Sequence, residues 1–124
     1  MNRDRFKFRV WDKTIKKMHY KGFLVHAEHG YPTLCDYDEW SEYHDAELMQ
    51  CTGLKDKRHN LIYESDVVGA PVPNLAEWGV VTWSCGSWVI KSGLMELRLG
   101  DVNSVDLEIL GNIYENPELM EGAK

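Results

Sequence analysis

The residues best equipped for chemistry crowd between positions 26 and 47. His26 and His29 stand three apart, Cys35 follows and His44 lies beyond, a set of nitrogen and sulfur donors of the kind a transition metal takes. On a helix a separation of three would turn both imidazoles to one side. Gly30 and Pro32 break any regular element here, so His26 and His29 are weak metal candidates and read first as solvated loop histidines. The same stretch holds Asp36, Asp38, Glu39, Glu42, Asp45 and Glu47. Hydrolytic acid–base work needs one carboxyl whose pKa burial has raised. A segment this acidic reads as exposed, and no spacing singles out a pair.

Other chemistries have less to stand on. Ser84-Cys85-Gly86-Ser87 offers nucleophiles, but no GxSxG surrounds them and no histidine is implied nearby. The glycine-rich phosphate loops GxxxxGK[ST] and GxGxxG are absent from the sequence. The three cysteines, Cys35, Cys51 and Cys85, have no CxxC spacing and read as free thiols of a reducing compartment. No catalytic residue and no cofactor are therefore expected. Five tryptophans, Trp11, Trp40, Trp78, Trp83 and Trp88, fit a core of large side chains better than an aromatic face that stacks bases or grips a partner.

The elements that would position these residues are β-strands. At 124 residues, with 44% hydrophobic and 27% charged residues, the chain suits one globular domain that folds without metal or disulfide. A division into 1–46, a hairpin and excursion, and 47–124, a barrel-like part, is possible within it. Phe6, Phe8 and Val10 alternate with Arg5, Lys7 and Arg9, the period of a half-buried strand whose wet face is basic. Asp12 to Lys17 suits a turn, and Met18 to Val25 a returning strand. Residues 26–47 predict an extended excursion with a short helix near 38–43. Glu47 to Gly53 predicts a strand, Leu54 to Asn60 a polar turn and Leu61 to Val68 another strand, before the proline-containing loop 69–74. Trp78 to Trp83 and Trp88 to Lys91 flank SCGS as an aromatic β-hairpin. Leu94 to Leu99 reads as strand or short helix. Val105 to Ile113 alternates until Gly111, and Asn116-Pro117 begins a short helical turn. Short strands with frequent turn signals predict a mainly β fold: an N-terminal β-hairpin region, a small C-terminal barrel and few short helices.

Charge and hydropathy narrow the partners. A net charge of −6 repels nucleic acid unless the basic residues segregate on one face. They do cluster early, at Arg3, Arg5, Lys7, Arg9, Lys13, Lys16, Lys17 and Lys21, while the acids gather in the middle and at the C-terminus. No run of 18 apolar residues exists, and charges interrupt the N-terminus too often for a signal-peptide core. The expectation is a cytoplasmic protein with no membrane partner.

Several strings resemble the YopX family of small proteins, common in phages and prophages of Gram-positive bacteria. They are FKFRVWDK (Phe6 to Lys13) with Lys17-Met18, ELMQCTGLKDK (Glu47 to Lys57), IYESDVV (Ile62 to Val68), GVV (Gly79 to Val81) and GNIYENPEL (Gly111 to Leu119). Residues 19–46 and 82–104 match little beyond length. The chain departs from the pattern at Ser65, where the family usually has glycine, and at Cys51, where it has an aromatic. A serine there puts a tight positive-φ turn in doubt. The resemblance implies a mainly β fold with an SH3-like barrel in the C-terminal half, and brings no catalytic residues with it. In its structural reading Thr52-Gly53-Leu54 with LKDK is a turn between strands and the polar motif residues fix the fold. In its functional reading Thr52, Lys55, Asp56, Tyr63, Glu64, Asp66, Asn112, Tyr114, Glu115 and Asn116 gather into one polar binding surface on a rigid scaffold.

The leading functional expectation is a non-enzymatic phage accessory protein, an interaction module that binds a protein partner or self-associates as a homo-oligomer. A nucleic-acid binder using the basic N-terminal hairpin or a barrel face is the first alternative. A metal-dependent enzyme using His26, His29, Cys35 or His44 is the second.

Overall fold

The computed structural model describes residues 3–28, 31–36, 46–69, 78–93, 95–103 and 106–121. The helix expected near 38–43, loop residues 70–74, and His29 and His44 fall outside them. The protein is mainly β, built of curled antiparallel sheets. Its backbone divides into two compact units: one of Met1–Lys7 with Gln50–Lys124, the other of Phe8–Met49.

In the smaller unit, β1 (Phe8–Asp12) pairs antiparallel with β2 (Lys17–His19), Val10 opposite His19 and Asp12 opposite Lys17. The Asp12 carboxylate accepts the Thr14 N–H at 2.9 Å and shapes the turn between them. Lys13 reaches Glu47 at 3.0 Å. The alternation expected here fails. Residues 9–12 of β1 are all buried, Arg9 to 2% exposure, so the strand is covered on both faces and has no basic wet side. Phe6 does not continue it. A 3-10 turn at Asp4–Phe6 precedes the strand, and Phe6 is exposed, with the Arg5 guanidinium 4.8 Å from its ring centre.

The excursion expected after residue 26 is instead a two-stranded ribbon. β3 (Phe23–Glu28) pairs with β4 (Tyr31–Asp36), in register from Phe23 opposite Asp36 to Glu28 opposite Tyr31. Pro32 sits opposite Ala27 and does not break the element. In a two-stranded ribbon every strand is an edge, so a proline whose nitrogen faces outward removes no ladder bond.

The larger unit is organised around a five-stranded antiparallel sheet. β5 (Ala46–Lys55) straddles the unit boundary, and its second half pairs with β6 (Leu61–Tyr63). β7 (Asp66–Gly69), β8 (Gly79–Ser84), β9 (Ser87–Ser92), β10 (Met95–Arg98) and β11 (Glu108–Asn112) form the sheet, in the order β10-β9-β8-β7-β11. One face carries the core: Ile62, Val68, Val81, Ile90, Leu99 and Leu107 are buried together, with Trp88, Leu97, Val102 and Ile109 packed against them. The expected aromatic hairpin is β8–β9. Its two-residue turn is Cys85-Gly86, both at positive φ (50° and 83°), the type I′ geometry whose twist matches the flanking strands. Trp83 opposes Trp88 across it, ring centres 5.1 Å apart and edge to face.

Of the stretch expected as strand or short helix, Met95–Arg98 is the strand β10, and a 3-10 turn, Leu99–Asp101, follows. The alternation in β11 breaks because its register to β7 shifts between Ile109 and Gly111, which leaves Leu110 exposed at a bulge. The short terminal helix, α1 (Glu118–Glu121), starts just after Pro117.

Candidate functional site

The turn expected at Thr52-Gly53-Leu54 with LKDK begins only at Asp56, and Thr52-Gly53-Leu54 itself is still strand. It is a bulge inside β5, lying between the Cys51–Tyr63 and Lys55–Leu61 pairs. Gly53 takes φ +85°, and a Cβ on it would press on the Cβ of Arg5 at 3.1 Å. The Thr52 hydroxyl donates to the Ile62 carbonyl at 2.8 Å and accepts the Leu54 N–H at 3.2 Å, replacing ladder bonds the bulge has broken. Cys51 is buried beside it. Burial pushes its thiol pKa up, against the Gly53 N–H that its sulfur accepts. Cys85, the other described thiol, is exposed at the hairpin tip.

The turn between β5 and β6 is built on Asp56, which is only 1% exposed. One of its carboxylate oxygens accepts the Arg58 and Asn60 N–H groups, both at 2.9 Å; the other accepts the N–H of Ile109 in β11 at 3.1 Å. Burial alone would raise this carboxyl's pKa. The three backbone donors, with the Arg58 charge, outweigh burial and hold it below the usual carboxylate range. Lys57 adds a backbone bond to the Leu107 carbonyl, and Lys57 and Arg58 both pair with Glu108 at the surface. Lys55 is exposed at the end of β5.

Tyr63 to Asp66 forms the tight turn from β6 to β7. The buried Asp66 carboxylate accepts the Tyr63 N–H at 2.7 Å. Ser65 takes φ +74°, so the positive-φ turn persists although serine stands where the family has glycine. Its N–H bonds the Val81 carbonyl and its carbonyl accepts the Ile113 N–H, while the Glu64 N–H reaches the Gln50 carbonyl. Beside it, at the Asp66–Asn112 pair, the chain leaves β11 through a second polar knot. The Asn112 side-chain oxygen accepts the Tyr114 and Glu115 N–H groups, and its amide donates to the Glu115 carboxylate at 2.8 Å. The Asn116 side chain accepts the Asn112 N–H. A Cβ on Gly111 would run into the Asn116 amide, which is why glycine stands there.

Of the ten residues expected on one polar surface, Asp56, Tyr63, Asp66 and Asn112 are therefore inside, because their acceptors or backbones close turns. The others fall into two places: Thr52 and Lys55 on β5, and Glu64, Tyr114, Glu115 and Asn116 around the Asp66–Asn112 pair. His26 lies on β3 and Cys35 on β4, with their side chains outside the described residues. Among the described residues no three His, Cys, Asp or Glu side chains converge as metal ligands.

A different surface is concave. Trp78, Val80, Thr82 and Ser84 follow one another at every second position on the sheet face opposite the core, and with Lys91 and Glu96 they line a groove of about 440 Å³. Trp83, 55% exposed, stands at its rim, whereas Trp88 packs against the core. The tryptophans of the hairpin thus divide between the core and the groove. The signal was present in the sequence as the period-two run Trp78, Val80, Thr82 and Ser84, which two-residue periodicity sends to one face.

A bulged and turn-locked antiparallel β scaffold, with an aromatic groove on the back of its sheet, is the class of protein that these features define. The chain belongs to the YopX protein family, whose model matches residues 7–121. Two solved structures are similar to it. Protein EF1440 from Enterococcus faecalis is 24% identical with a TM-score of 0.61, over 92% of this chain and 96% of that one. Protein YopX from Bacillus subtilis is 24% identical with a TM-score of 0.66, over 93% and 98%. At that identity the likeness shows the shared fold. No curated protein matches the chain. No helix among the described residues is long and apolar enough to cross a membrane.

Proposed function

We propose that the chain is a non-enzymatic phage or prophage accessory protein, working in the host cytoplasm as an interaction module, with its larger unit as an SH3-like small barrel. Its protein partner docks on the groove behind β8–β10. The observation that carries this reading is a concavity of about 440 Å³ on a rigid sheet, lined by Trp78, Val80, Thr82 and Ser84, with Trp83, 55% exposed, also among its lining residues. Buried aromatic anchors of this kind dominate the energetics of protein interfaces. The polar motif residues serve this function indirectly, by fixing the turns that hold the sheet. The test is a photo-reactive residue at Thr82 in the full chain, expressed in phage-infected host cells. A partner cross-linked there and lost in Trp83→Ala supports the reading; the same capture with and without the Trp83 ring refutes it.

A second reading has its own observation. Lys16 and Lys17 are exposed at the β1–β2 turn beside Ile15 (60%), and Tyr20 (57%) and Lys21 are exposed just beyond β2. Such a basic stretch suits a nucleic-acid phosphate backbone. Three such contacts give a log–log salt slope of about −2.7 in a duplex anisotropy titration. Binding without a salt slope, or none at low salt, ends it.

A further inference from the structure

β10 ends the five-stranded sheet, and its outer edge is patterned to meet itself. Met95 opposes Ser92, Glu96 opposes Lys91, Leu97 opposes Ile90 and Arg98 opposes Val89. The β9–β10 hairpin closes on the Ser92–Met95 pair. In such two-residue hairpins the closing pair is the mutually hydrogen-bonded kind, and the kinds alternate along the ladder. Met95 and Leu97 thus spend their backbone groups on β9, while Glu96 and Arg98 turn theirs outward.

We infer that a second copy of this chain adds to the sheet at β10, strand against antiparallel strand about a two-fold axis at Leu97. This rests on the reading of the chain as an interaction module and names one of its partners. In that register Glu96 of one copy faces Arg98 of the other, and the reverse. Each such pair joins two residues whose backbone groups already point outward, so both exchange ladder bonds with no change in the strand. Leu97 meets its own image at a non-bonded position, where side chains come closest, on the core face of the sheet. The two other symmetric registers of the same parity set Glu96 against Glu96 or Arg98 against Arg98, and like charges directly opposite oppose pairing. Edge strands that must stay apart carry charge of one sign. This edge carries one of each, both exposed and placed symmetrically about Leu97, so it attracts its own copy. A self-complementary patch of this kind is what an isologous dimer requires.

The experiment is sedimentation velocity on the full chain over a concentration series, with circular dichroism to confirm folding. Wild type shifts from monomer to dimer as concentration rises. Arg98→Glu and Glu96→Arg each weaken the dimer by about tenfold or more, since each replaces two attractive pairs by two repulsive ones. The double variant E96R/R98E exchanges the charges and restores wild-type dimerisation. A wild type that stays monomeric, or a double variant no better than the singles, overturns the inference. Trp83→Ala separates the two proposals. Monomeric wild type with Trp83-dependent capture refutes the dimer alone; an intact dimer with Trp83-independent capture refutes the groove alone.

Discussion

Asp56 closes one turn with three backbone N–H groups from two parts of the chain, and Asn112 and Asn116 close another, Asn112 accepting the Tyr114 and Glu115 N–H groups and Asn116 that of Asn112. Such acceptors are worth most where they are buried, because their loss strands donors that water cannot reach. Asp56→Ala should therefore cost about 3 kcal/mol, read by urea denaturation. The same carboxyl makes stability depend on pH. Its folded pKa lies below its unfolded one, so its contribution is complete above the ordinary carboxylate range and disappears as pH falls through the folded value. The stability gap between wild type and Asp56→Asn should narrow on acidification; a gap that stays constant down to the acid transition would contradict this. Ser65 offers the opposite sign. A left-handed serine gains from replacement by glycine, so Ser65→Gly should stabilise by about 1 kcal/mol. These residues were legible in the sequence as polar punctuation between strands. Their burial was not, since Asp56 meets Ile109 across 53 positions and no local pattern reveals that partner.

The strands from β8 onward follow the sequence closely, because β-branched and aromatic runs bounded by glycine and serine leave few alternatives, whereas the single strand expected over Leu61–Val68 is two, β6 and β7, parted by the turn at Glu64-Ser65. Where periodicity misled, the cause lies in pairing. β1 is buried on both faces, and alternation marks only strands with one wet face. β4 carries a proline that a two-stranded ribbon tolerates. The β5 bulge swallows residues that read as a turn. Two predictions belong here. Cys85→Asn gives the β8–β9 turn the Asn-Gly pair that type I′ geometry favours, and should raise the midpoint of thermal unfolding with a gain of about 0.5 kcal/mol. Gly111→Ala drives a methyl into the Asn116 amide and should cost about 2 kcal/mol. In the double variant with Asn116→Ala the two losses should be markedly less than additive, because the second removes what the first strikes. Strict additivity would show that Gly111 is there for another reason.

For the molecule as a whole, the mainly β fold and the family were legible, and the groove was not. Sequence strings mark what the family shares, and in this chain those strings are the turn-locking residues: YESD, GNIYEN and CTG. The groove draws on shared and unshared stretches alike: Val80 and Ile113 belong to matching strings, while Thr82, Trp83, Ser84, Lys91, Gly93 and Glu96 come from 82–104, where the resemblance is thinnest. The most direct measurement is the affinity of the partner cross-linked at Thr82 for the wild-type protein, for Trp83→Ala and for the hairpin variant Lys16→Glu/Lys17→Glu. A docking groove predicts that the tryptophan change weakens binding by about tenfold or more while the hairpin change leaves it intact. Undiminished affinity in Trp83→Ala, with loss in the lysine variant, would contradict it.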